Sequence, residues 1–299
     1  MIEIKNVSKK FDNIQALSHI NAKMEEGHVF GLIGTNGAGK STLMRSICGV
    51  YRPEEGEVLI DGQPVYDNPS VKEKVFYISD DQCFIGSTAM DMVQFYETMY
   101  RNFNRERFLS LMDALQLDPQ RRVNTFSKGM KKQLSVLLGV SSGTKYLLCD
   151  ETFDGLDPVI RQAIKRLFAN ELEKNNLTPI ITSHNLRELE DICEQVGLLH
   201  KGGILFTKDL EEMKLGMVKA QVAFQNPEDA QKVLAKFPVV RMSNSGSLYT
   251  LTVRGHMDEV CDYINTLNPK FTETIPLSLE EIFISETEVL GYDFSNIVC

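Results

Sequence analysis

The sequence predicts an α/β fold with a largely parallel sheet, followed by a small α+β domain. Two observations support this prediction. Up to about residue 215, short apolar runs alternate with stretches of helical periodicity, an order that is typical of a parallel sheet covered by helices. Beyond that point the order becomes β-α-β-β-α-β, which fits a ferredoxin-like unit. We therefore expect two domains, residues 1–215 and 216–299.

In the first domain, each predicted strand is a short apolar run next to glycine, proline or a polar loop. A glycine-rich loop follows the run at 29–33, and a helical pattern follows the loop. Further strands are predicted at 56–62, 75–78, 146–149 and 179–182. Helices are predicted over 88–123, from near Ser127, from Pro158 after Asp157, where proline suits the first turn, and over 187–194.

In the second domain, strands are predicted at 221–224, 239–243, 248–253 and 271–275. Helices are predicted between them at 228–237 and 257–267. A turn around residues 244–246 joins the two central strands. This alternation produces the ferredoxin-like order and carries no motif of known chemistry.

Composition excludes several classes of protein. The 299 residues carry a net charge of −9, from 32 basic and 41 acidic side chains, without a basic block that could bind nucleic acid phosphates. No apolar run approaches the ~20 residues that span a bilayer. The six cysteines are scattered, with no CxxC pair, which indicates free thiols in a reducing compartment. We expect a cytoplasmic protein with no nucleic acid partner.

The glycine-rich loop matches the pattern G-x-x-x-x-G-K-[ST] in the context that this motif requires, between a strand and a helix. Glycines allow backbone N–H groups to surround a phosphate, and the helix N-terminus adds partial positive charge. Lys40 would reach the β- and γ-phosphates, Ser41 would ligate Mg²⁺, and Thr42 would add a hydroxyl. The predicted nucleotide-binding residues here are Gly34, Thr35, Asn36, Gly37, Ala38, Gly39, Lys40, Ser41 and Thr42.

Two adjacent acids, Asp150 and Glu151, end the apolar run at 146–149. Ligands of open α/β sheets bind at the carboxyl ends of the strands. We expect Asp150 to hold the metal, directly or through water, and Glu151 to act as general base or to orient the attacking water. The alternative is a pair of helix-capping acids. Together with the loop, the pair predicts a nucleoside triphosphatase.

The segment 125–133, Thr-Phe-Ser-Lys-Gly-Met-Lys-Lys-Gln, resembles the Leu-Ser-Gly-Gly-Gln signature of ATP-binding cassette (ABC) ATPases. Ser127 and Gly129 keep their places, whereas Phe126, Lys128 and Met130 depart from the common letters. A serine can cap a helix whose N-terminus points at an anion, and glycine permits close approach.

Other positions of the ABC family follow in order. Asp157 resembles the acid of the D-loop, His184 the switch histidine that contacts the γ-phosphate, and Phe11 the aromatic residue that stacks on adenine. The alternative for Phe11 is a strand core residue. The family expects a metal-coordinating glutamine directly after a strand. Asp80 takes that place by direct register, and Gln82 could serve if the loop is shifted.

The resemblance implies a P-loop NTPase cassette over residues 1–215, with a RecA-like core, an antiparallel β subdomain and a helical subdomain at about 82–145. It implies ATP and Mg²⁺, bound between two subunits that face each other head to tail. Each ATP would contact the loop of one subunit and Ser127, Lys128 and Gly129 of the other. The dimer would be a homodimer, or a heterodimer with a similar ATPase.

The order of elements resembles exporters of the bacterial ABC-2 type. This implies a separate membrane-spanning permease, a place on the cytoplasmic face of the cell membrane, and export of a substrate such as a peptide or a drug. The alternative is a soluble ABC ATPase without a transport role. Two local patterns remain, the first with two interpretations. The methionine and aromatic residues at 90–103 form core or a docking groove for the permease, and Lys131-Lys132 is expected to be a solvated face.

Overall fold

The computed structural model describes residues 1–81, 84–226 and 228–289. The chain divides into two compact units, Met1–Thr207 and Lys208–Cys299. This division precedes the boundary that the sequence suggests, at residue 215. Within the described ranges, no helix is both long and apolar enough to cross a bilayer.

The first unit contains two sheets and the helices that connect their strands. The strands are β1 (Ile2–Phe11), β2 (Ile14–Met24), β3 (Phe30–Ile33), β4 (Glu55–Ile60), β5 (Gln63–Pro64), β6 (Val75–Ile78), β7 (Tyr146–Asp150), β8 (Thr178–Ser183), β9 (Gln195–His200) and β10 (Gly203–Asp209). The helices are α1 (Lys40–Ile47), α2 (Pro69–Lys72), α3 (Ala89–Met99), α4 (Arg105–Ala114), α5 (Lys128–Ser141), α6 (Pro158–Asn175) and α7 (Leu186–Leu189), with a 3₁₀ turn at Val123–Thr125.

The central sheet has the strand order β10-β9-β3-β8-β7-β6, and its pairs from β9 to β6 are parallel. All residues of β3, β7 and β8 are buried, which explains why these strands read as continuous apolar runs. The carboxyl ends of β3, β7 and β8 therefore lie side by side at one edge. The predicted α/β class is confirmed.

A second sheet, with the order β2-β1-β4-β5, is antiparallel throughout. Its alternating side chains share one apolar core with the central sheet: Ile4 and Leu17 from the former pack in the same cluster as Phe30 and Ile180 from the latter. This is the antiparallel β subdomain that the family resemblance implies.

Two helical stretches differ from the prediction. The expected helix over 88–123 is interrupted, because α3 ends at Met99 and the Asn104 side chain then caps α4 by accepting from Arg107 N–H. The expected helix over 187–194 consists only of α7, because Glu194 N–H bonds to the Val29 carbonyl oxygen (3.0 Å) and the chain enters β9.

The methionine and aromatic stretch contributes to the core through Met92 and Val93, which are buried on α3. Its aromatic rings are half-buried and pack on one another and on Phe76 of β6, with a Phe76–Tyr96 centroid distance of 5.2 Å. Met99 is exposed. The stretch is therefore core on one side of α3 and open on the other.

The second unit contains α8 (Leu210–Leu215), β11 (Met217–Ala223), α9 (Glu228–Lys236), β12 (Val239–Ser245), β13 (Leu248–Arg254), α10 (Met257–Thr266), β14 (Phe271–Ile275) and α11 (Leu279–Val289). Its antiparallel sheet has the order β12-β13-β11-β14. The first and third strands of the β-α-β-β-α-β unit are thus central, which is the ferredoxin-like arrangement predicted. Apolar faces of α9 and α10 pack on this sheet.

Candidate functional site

The glycine-rich loop lies between β3 and α1, at the carboxyl edge of the central sheet. Gly39 has a φ of +107°, and a Cβ there would come within 2.5 Å of the Ala16 carbonyl oxygen, so both conformation and space require glycine. Gly37 also has a positive φ, of +79°, but no atom lies near its missing Cβ. Thr35 and Asn36 are exposed. The loop therefore presents backbone to solvent directly before the positive end of α1.

Lys40 begins α1, and its side chain returns over the loop. It is only 6% exposed; its ammonium donates to the Gly34 carbonyl oxygen (2.6 Å) and lies 3.1 Å from Glu151 Oε1. Ser41 and Thr42 follow in the first turn and are half-buried. The loop lysine and the second predicted acid are thus in direct contact.

Asp150 is the last residue of β7, and its buried carboxylate accepts hydrogen bonds from two neighbouring strands. Thr182 Oγ1 on β8 donates to Oδ1 (2.7 Å), and the Tyr77 hydroxyl on β6 donates to Oδ2 (3.0 Å). Burial, and then the charge of Asp150, raise the pKa of Tyr77. A carboxylate oxygen has two lone pairs, so each oxygen of Asp150 retains one for a further ligand.

Sequence reasoning missed Tyr77 and Thr182. The parallel register places Asp150 opposite Thr182. The sequence does show that both hydroxyls lie near the carboxyl ends of predicted strands. Their contact with Asp150 follows only from the strand order, which places β7 between β6 and β8.

Glu151 follows the strand in a left-handed backbone conformation, with a φ of +48°. Its N–H donates to Thr182 Oγ1 (3.0 Å). Its carboxylate lies between the Lys40 ammonium and His184, whose Nδ1 donates to Oε2 at 2.9 Å. The structure therefore brings together three predicted residues from α1, β7 and the end of β8. Left-handed conformations of residues with a side chain are costly and cluster at functional sites.

Ser41 and Asp150 have side chains whose chemistry fits Mg²⁺. A serine hydroxyl and a carboxylate are the hard oxygen ligands that this ion prefers. Among the described residues there is no cluster of three His, Cys, Asp or Glu side chains that could hold a metal ion alone. This agrees with the usual behaviour of Mg²⁺, which is held by one or two protein groups together with substrate phosphates and water.

The predicted signature segment forms the N-terminus of α5. Ser127 is the N-cap and accepts from Met130 N–H (3.1 Å). The nearest atom to a Cβ on Gly129 would be the Gly155 carbonyl oxygen, 3.6 Å away, which is an ordinary van der Waals contact, so the fold of this subunit does not require glycine there. Ser127 and Lys128 are exposed, and Gly129 is half-buried.

Lys128 pairs with Asp154 of the loop that follows Glu151, at 3.1 Å. The ammonium of Lys128 lowers the pKa of Asp154, and the hydrogen bond to Asp154 raises the pKa of Lys128. Asp157 ends this loop as the N-cap of α6, accepting from the N–H groups of Val159 and Ile160. Lys128, which stands where the family signature has glycine, thus links the start of α5 to the loop 152–157.

The expectation of a solvated face at Lys131-Lys132 is wrong for Lys132. This side chain is 1% exposed, because it lies one turn into α5, where the buried part of the helix begins and from which it extends to Ser141. Its ammonium donates to the Glu151 carbonyl oxygen (2.5 Å) and faces the carboxylates of Asp80 (3.3 Å) and Asp154 (3.9 Å). Lys131 is half-buried.

The two remaining predicted positions are Asp80 and Phe11. Asp80 follows β6, and its carboxylate is paired with Lys132; Gln82 lies outside the described residues. Phe11, at the end of β1, is 38% exposed and packs edge-to-face on Tyr51 with a centroid distance of 5.1 Å. It is thus a surface aromatic residue and not a strand core residue.

Comparison with known proteins agrees with this geometry. The family model described as ABC transporter matches residues 17–154. The ABC transporter ATP-binding protein YtrB of Bacillus subtilis (strain 168) is 30% identical over 287 residues, covering 96% of this chain and 98% of YtrB.

Other relatives match less of the chain. The methionine import ATP-binding protein MetN of Legionella pneumophila (strain Lens) is 29% identical, covering 84% of this chain and 80% of MetN. The lantibiotic transport ATP-binding protein SrtF of Streptococcus pyogenes is 27% identical, covering 71% of this chain and 92% of SrtF.

Among solved structures, a dimeric ATP-binding cassette in a post-hydrolysis state, bound to ADP and Pi, has the same fold. Its TM-score is 0.63 at 23% identity, and the match covers 70% of this chain and 99% of that one. The full-length relative, the family match and the fold agree. The chain belongs to the ABC transporter family as one of its ATP-binding proteins, which are ATPases.

Proposed function

We propose that this chain hydrolyses ATP as the motor subunit of a transporter, with Glu151 as the residue that activates water. The observation that carries the proposal is the position of Glu151, whose carboxylate lies within 3.1 Å of the Lys40 ammonium and 2.9 Å of His184 Nδ1. A base, a phosphate-binding cation and a histidine are thus grouped beside a loop built for phosphate.

Each residue has a role in this proposal. Lys40 and the N–H groups of the loop hold the β- and γ-phosphates. Ser41 and Asp150 would hold Mg²⁺, which would neutralise charge on the phosphoryl group. Glu151 orients a water and takes its proton as the new P–O bond forms and the bond to ADP breaks. His184 contacts the γ-phosphate, and the exposed ring of Phe11 stacks on adenine.

We further propose that two subunits enclose two ATP molecules, each between one loop and the partner's α5 N-terminus at Ser127, Lys128 and Gly129. The glycine at position 129 supports this, because a Cβ there would make only ordinary van der Waals contacts and the fold of the subunit itself does not require a glycine. The related cassette that was solved as a dimer supports it as well. A homodimer satisfies the arrangement, as does a heterodimer with a similar ATPase.

The transported molecule would pass through a separate membrane-spanning permease, which would hold this chain on the cytoplasmic face of the membrane. Among relatives, SrtF is named for lantibiotic transport and MetN for methionine import. We propose export of a peptide or a drug. The sequence of elements along the chain and the similarity to SrtF support this proposal.

The direction of transport can be tested with membrane vesicles. ATP-driven uptake of a labelled lantibiotic into inside-out vesicles would support export, whereas uptake only into right-side-out vesicles would indicate import.

The experiment that tests the proposed activity compares wild type with Glu151→Gln in Mg-ATP hydrolysis and ATP binding. We expect at least about a hundredfold loss of hydrolysis, because the base is removed, with ATP affinity retained. Equal hydrolysis by both proteins would contradict the role of Glu151.

The membrane partner is tested by purification. Purification of the tagged chain from detergent-solubilised membranes should recover a polytopic membrane protein. Recovery without one would favour a soluble ABC ATPase with no transport role.

A further inference from the structure

The most unusual side chain outside the proposed machinery is Lys132. It begins a buried stretch of α5 that contains Leu134 and Val136, and it is itself 1% exposed. Burial of an ammonium is costly unless it is paired and hydrogen-bonded, and lysine is among the residues least often fully buried. An apolar residue would fill this position at lower cost. The ammonium is therefore expected to matter for what it contacts.

Its three contacts lie on two loops, one after β6 and one after β7. Lys132 Nζ donates to the Glu151 carbonyl oxygen at 2.5 Å, and it faces Asp80 after β6 at 3.3 Å and Asp154 after β7 at 3.9 Å. Both carboxylates are about half-exposed. The positive charge of Lys132 is therefore compensated by two surface carboxylates, while its hydrogen bond goes to the backbone of Glu151. The helix α5 is thereby joined to the backbone of Glu151.

That backbone is in the left-handed conformation, which is unfavourable for a residue with a side chain. It is held from both sides. The Glu151 N–H donates to Thr182 Oγ1, and its carbonyl oxygen accepts from Lys132 and from Asp154 N–H (3.3 Å). These bonds fix the direction in which the Glu151 side chain leaves the strand, toward Lys40 and His184.

We propose that Lys132 is a positioning residue for Glu151, and that Asp80 and Asp154 are the counter-ions that keep its ammonium in place. The proposal rests on the proposed role of Glu151 as the base. It assigns Asp80, at the place where the family has glutamine, a contact with Lys132. The loop after β6 then acts on hydrolysis through this ammonium and the Glu151 backbone.

The test measures ATP affinity and turnover of the full chain separately. In Lys132→Met, which keeps the length of the stem and removes the donor, we expect kcat to fall about tenfold or more, because small displacements of a reacting group are costly. The ATP dissociation constant should stay within about twofold, because Lys132 does not contact the loop 34–42. Lys132→Arg restores a cationic donor and should keep kcat within about threefold of wild type.

A matched control is Lys131→Met, one residue away on the same helix and only half-buried, which should leave both quantities unchanged. Asp80→Asn is a second variant that cannot fail for lack of a folded core, since the carboxylate is 48% exposed. It should lower kcat by about three- to fivefold. In combination with Lys132→Met it should add little, because both act through one contact.

Wild-type kcat in Lys132→Met or in Asp80→Asn overturns the proposal. Parallel losses of ATP affinity and kcat, or a failure of Lys132→Arg to restore turnover, also overturn it and leave Lys132 a structural residue. Failure of the proposed function is recognised separately, because then wild type does not hydrolyse ATP or Glu151→Gln hydrolyses it at the wild-type rate.

Discussion

At the scale of single residues, the site is organised around the carboxylate of Glu151. The carboxylate lies between a buried ammonium from the loop and a half-exposed imidazole, while Asp150 beside it accepts two hydroxyl bonds. The two adjacent acids therefore have different surroundings, although they share one strand end. This difference allows one acid to hold a metal and the other to serve water, as the proposal requires.

Removal of the ammonium of Lys40 tests the phosphate loop. Lys40→Ala should weaken Mg-ATP binding at least tenfold, since a charged hydrogen bond contributes about 1.5–3 kcal/mol. Equilibrium titration with a fluorescent ATP analogue measures this, with Lys131→Ala as the control. An unchanged dissociation constant in Lys40→Ala would remove the loop from the binding site.

At the scale of elements, two glycines of α5 provide a matched pair. A Cβ on Gly129 would meet no atom closer than 3.6 Å, whereas a Cβ on Gly139 would come within 2.6 Å of Leu147 Cδ1 and 3.2 Å of Phe76 Cδ1. The first glycine is therefore dispensable for folding of the subunit, and the second is required by packing against β7 and β6. The same helix thus contains one glycine that packing requires and one that it does not, and the proposed nucleotide contact would account for the second.

Gly129→Ala should change the free energy of unfolding by no more than about 1 kcal/mol, because alanine favours helix and meets no close atom. It should nevertheless lower ATP hydrolysis strongly, because the partner's nucleotide has to approach this face. Gly139→Ala should destabilise by about 1–3 kcal/mol through overpacking. Denaturant unfolding and a hydrolysis assay measure both. Full activity in a folded Gly129→Ala would contradict the role of α5.

A charged cluster connects the two sheets of the first unit. Asp61, after β4, accepts hydrogen bonds from the chain N-terminus (2.9 Å), Lys74 (2.8 Å), Lys145 (2.9 Å) and the Tyr146 hydroxyl (3.0 Å). Burial tends to raise the pKa of Asp61, but the bonds from Lys74 and Lys145 outweigh it, and the pKa is well below its usual range.

Asp61→Asn should destabilise the protein by about 2 kcal/mol at pH 7, through loss of charged hydrogen bonds. Asparagine tolerates the left-handed backbone at this position, so the variant isolates the charge. The carboxylate contributes fully above its unfolded pKa, near 4, and its contribution is lost as the pH falls through the lower pKa of the folded state. Urea unfolding of both proteins should show this difference narrow below about pH 4. A difference that does not change with pH would exclude the charge as its cause.

Local motifs allowed much of the site to be predicted. The loop 34–42, the acids after β7 and the Ser127 cap each depend on a few neighbouring residues, and the structure places them at element ends as expected. Tyr77, Thr182 and the burial of Lys132 depend on which strands and loops become neighbours. That information is absent from any single stretch of sequence. The break between α3 and α4 differs, because its cap is the local bond from Arg107 N–H to Asn104, which the periodicity of apolar residues does not show.

At the scale of the whole molecule, the chain consists of a cassette and a ferredoxin-like unit, each with its own core. In the first unit, one core spans the antiparallel and the central sheet. In the second, α9 and α10 pack on the sheet, and α11 is held by an ion pair between Lys219 and Glu281 at 2.7 Å. We propose that nucleotide binding belongs to the first domain alone.

A chain of residues 1–215 should therefore fold and bind Mg-ATP with an affinity within about threefold of the full chain, because no predicted contact to nucleotide lies beyond His184. Circular dichroism and equilibrium ATP titration of the truncated protein test this. A folded fragment that does not bind ATP would show that the second domain completes the site.

In the proposed dimer, ATP joins two of these subunits through the loop 34–42 of one and α5 of the other. Glu151→Gln should bind ATP without hydrolysing it, and the bridging γ-phosphate then persists. Light scattering after size exclusion, with Mg-ATP present, should give twice the monomer mass. It should give the monomer mass with Mg-ADP, and with Mg-ATP when Gly129→Ala is added. A monomer of Glu151→Gln at saturating Mg-ATP would contradict the proposed dimer.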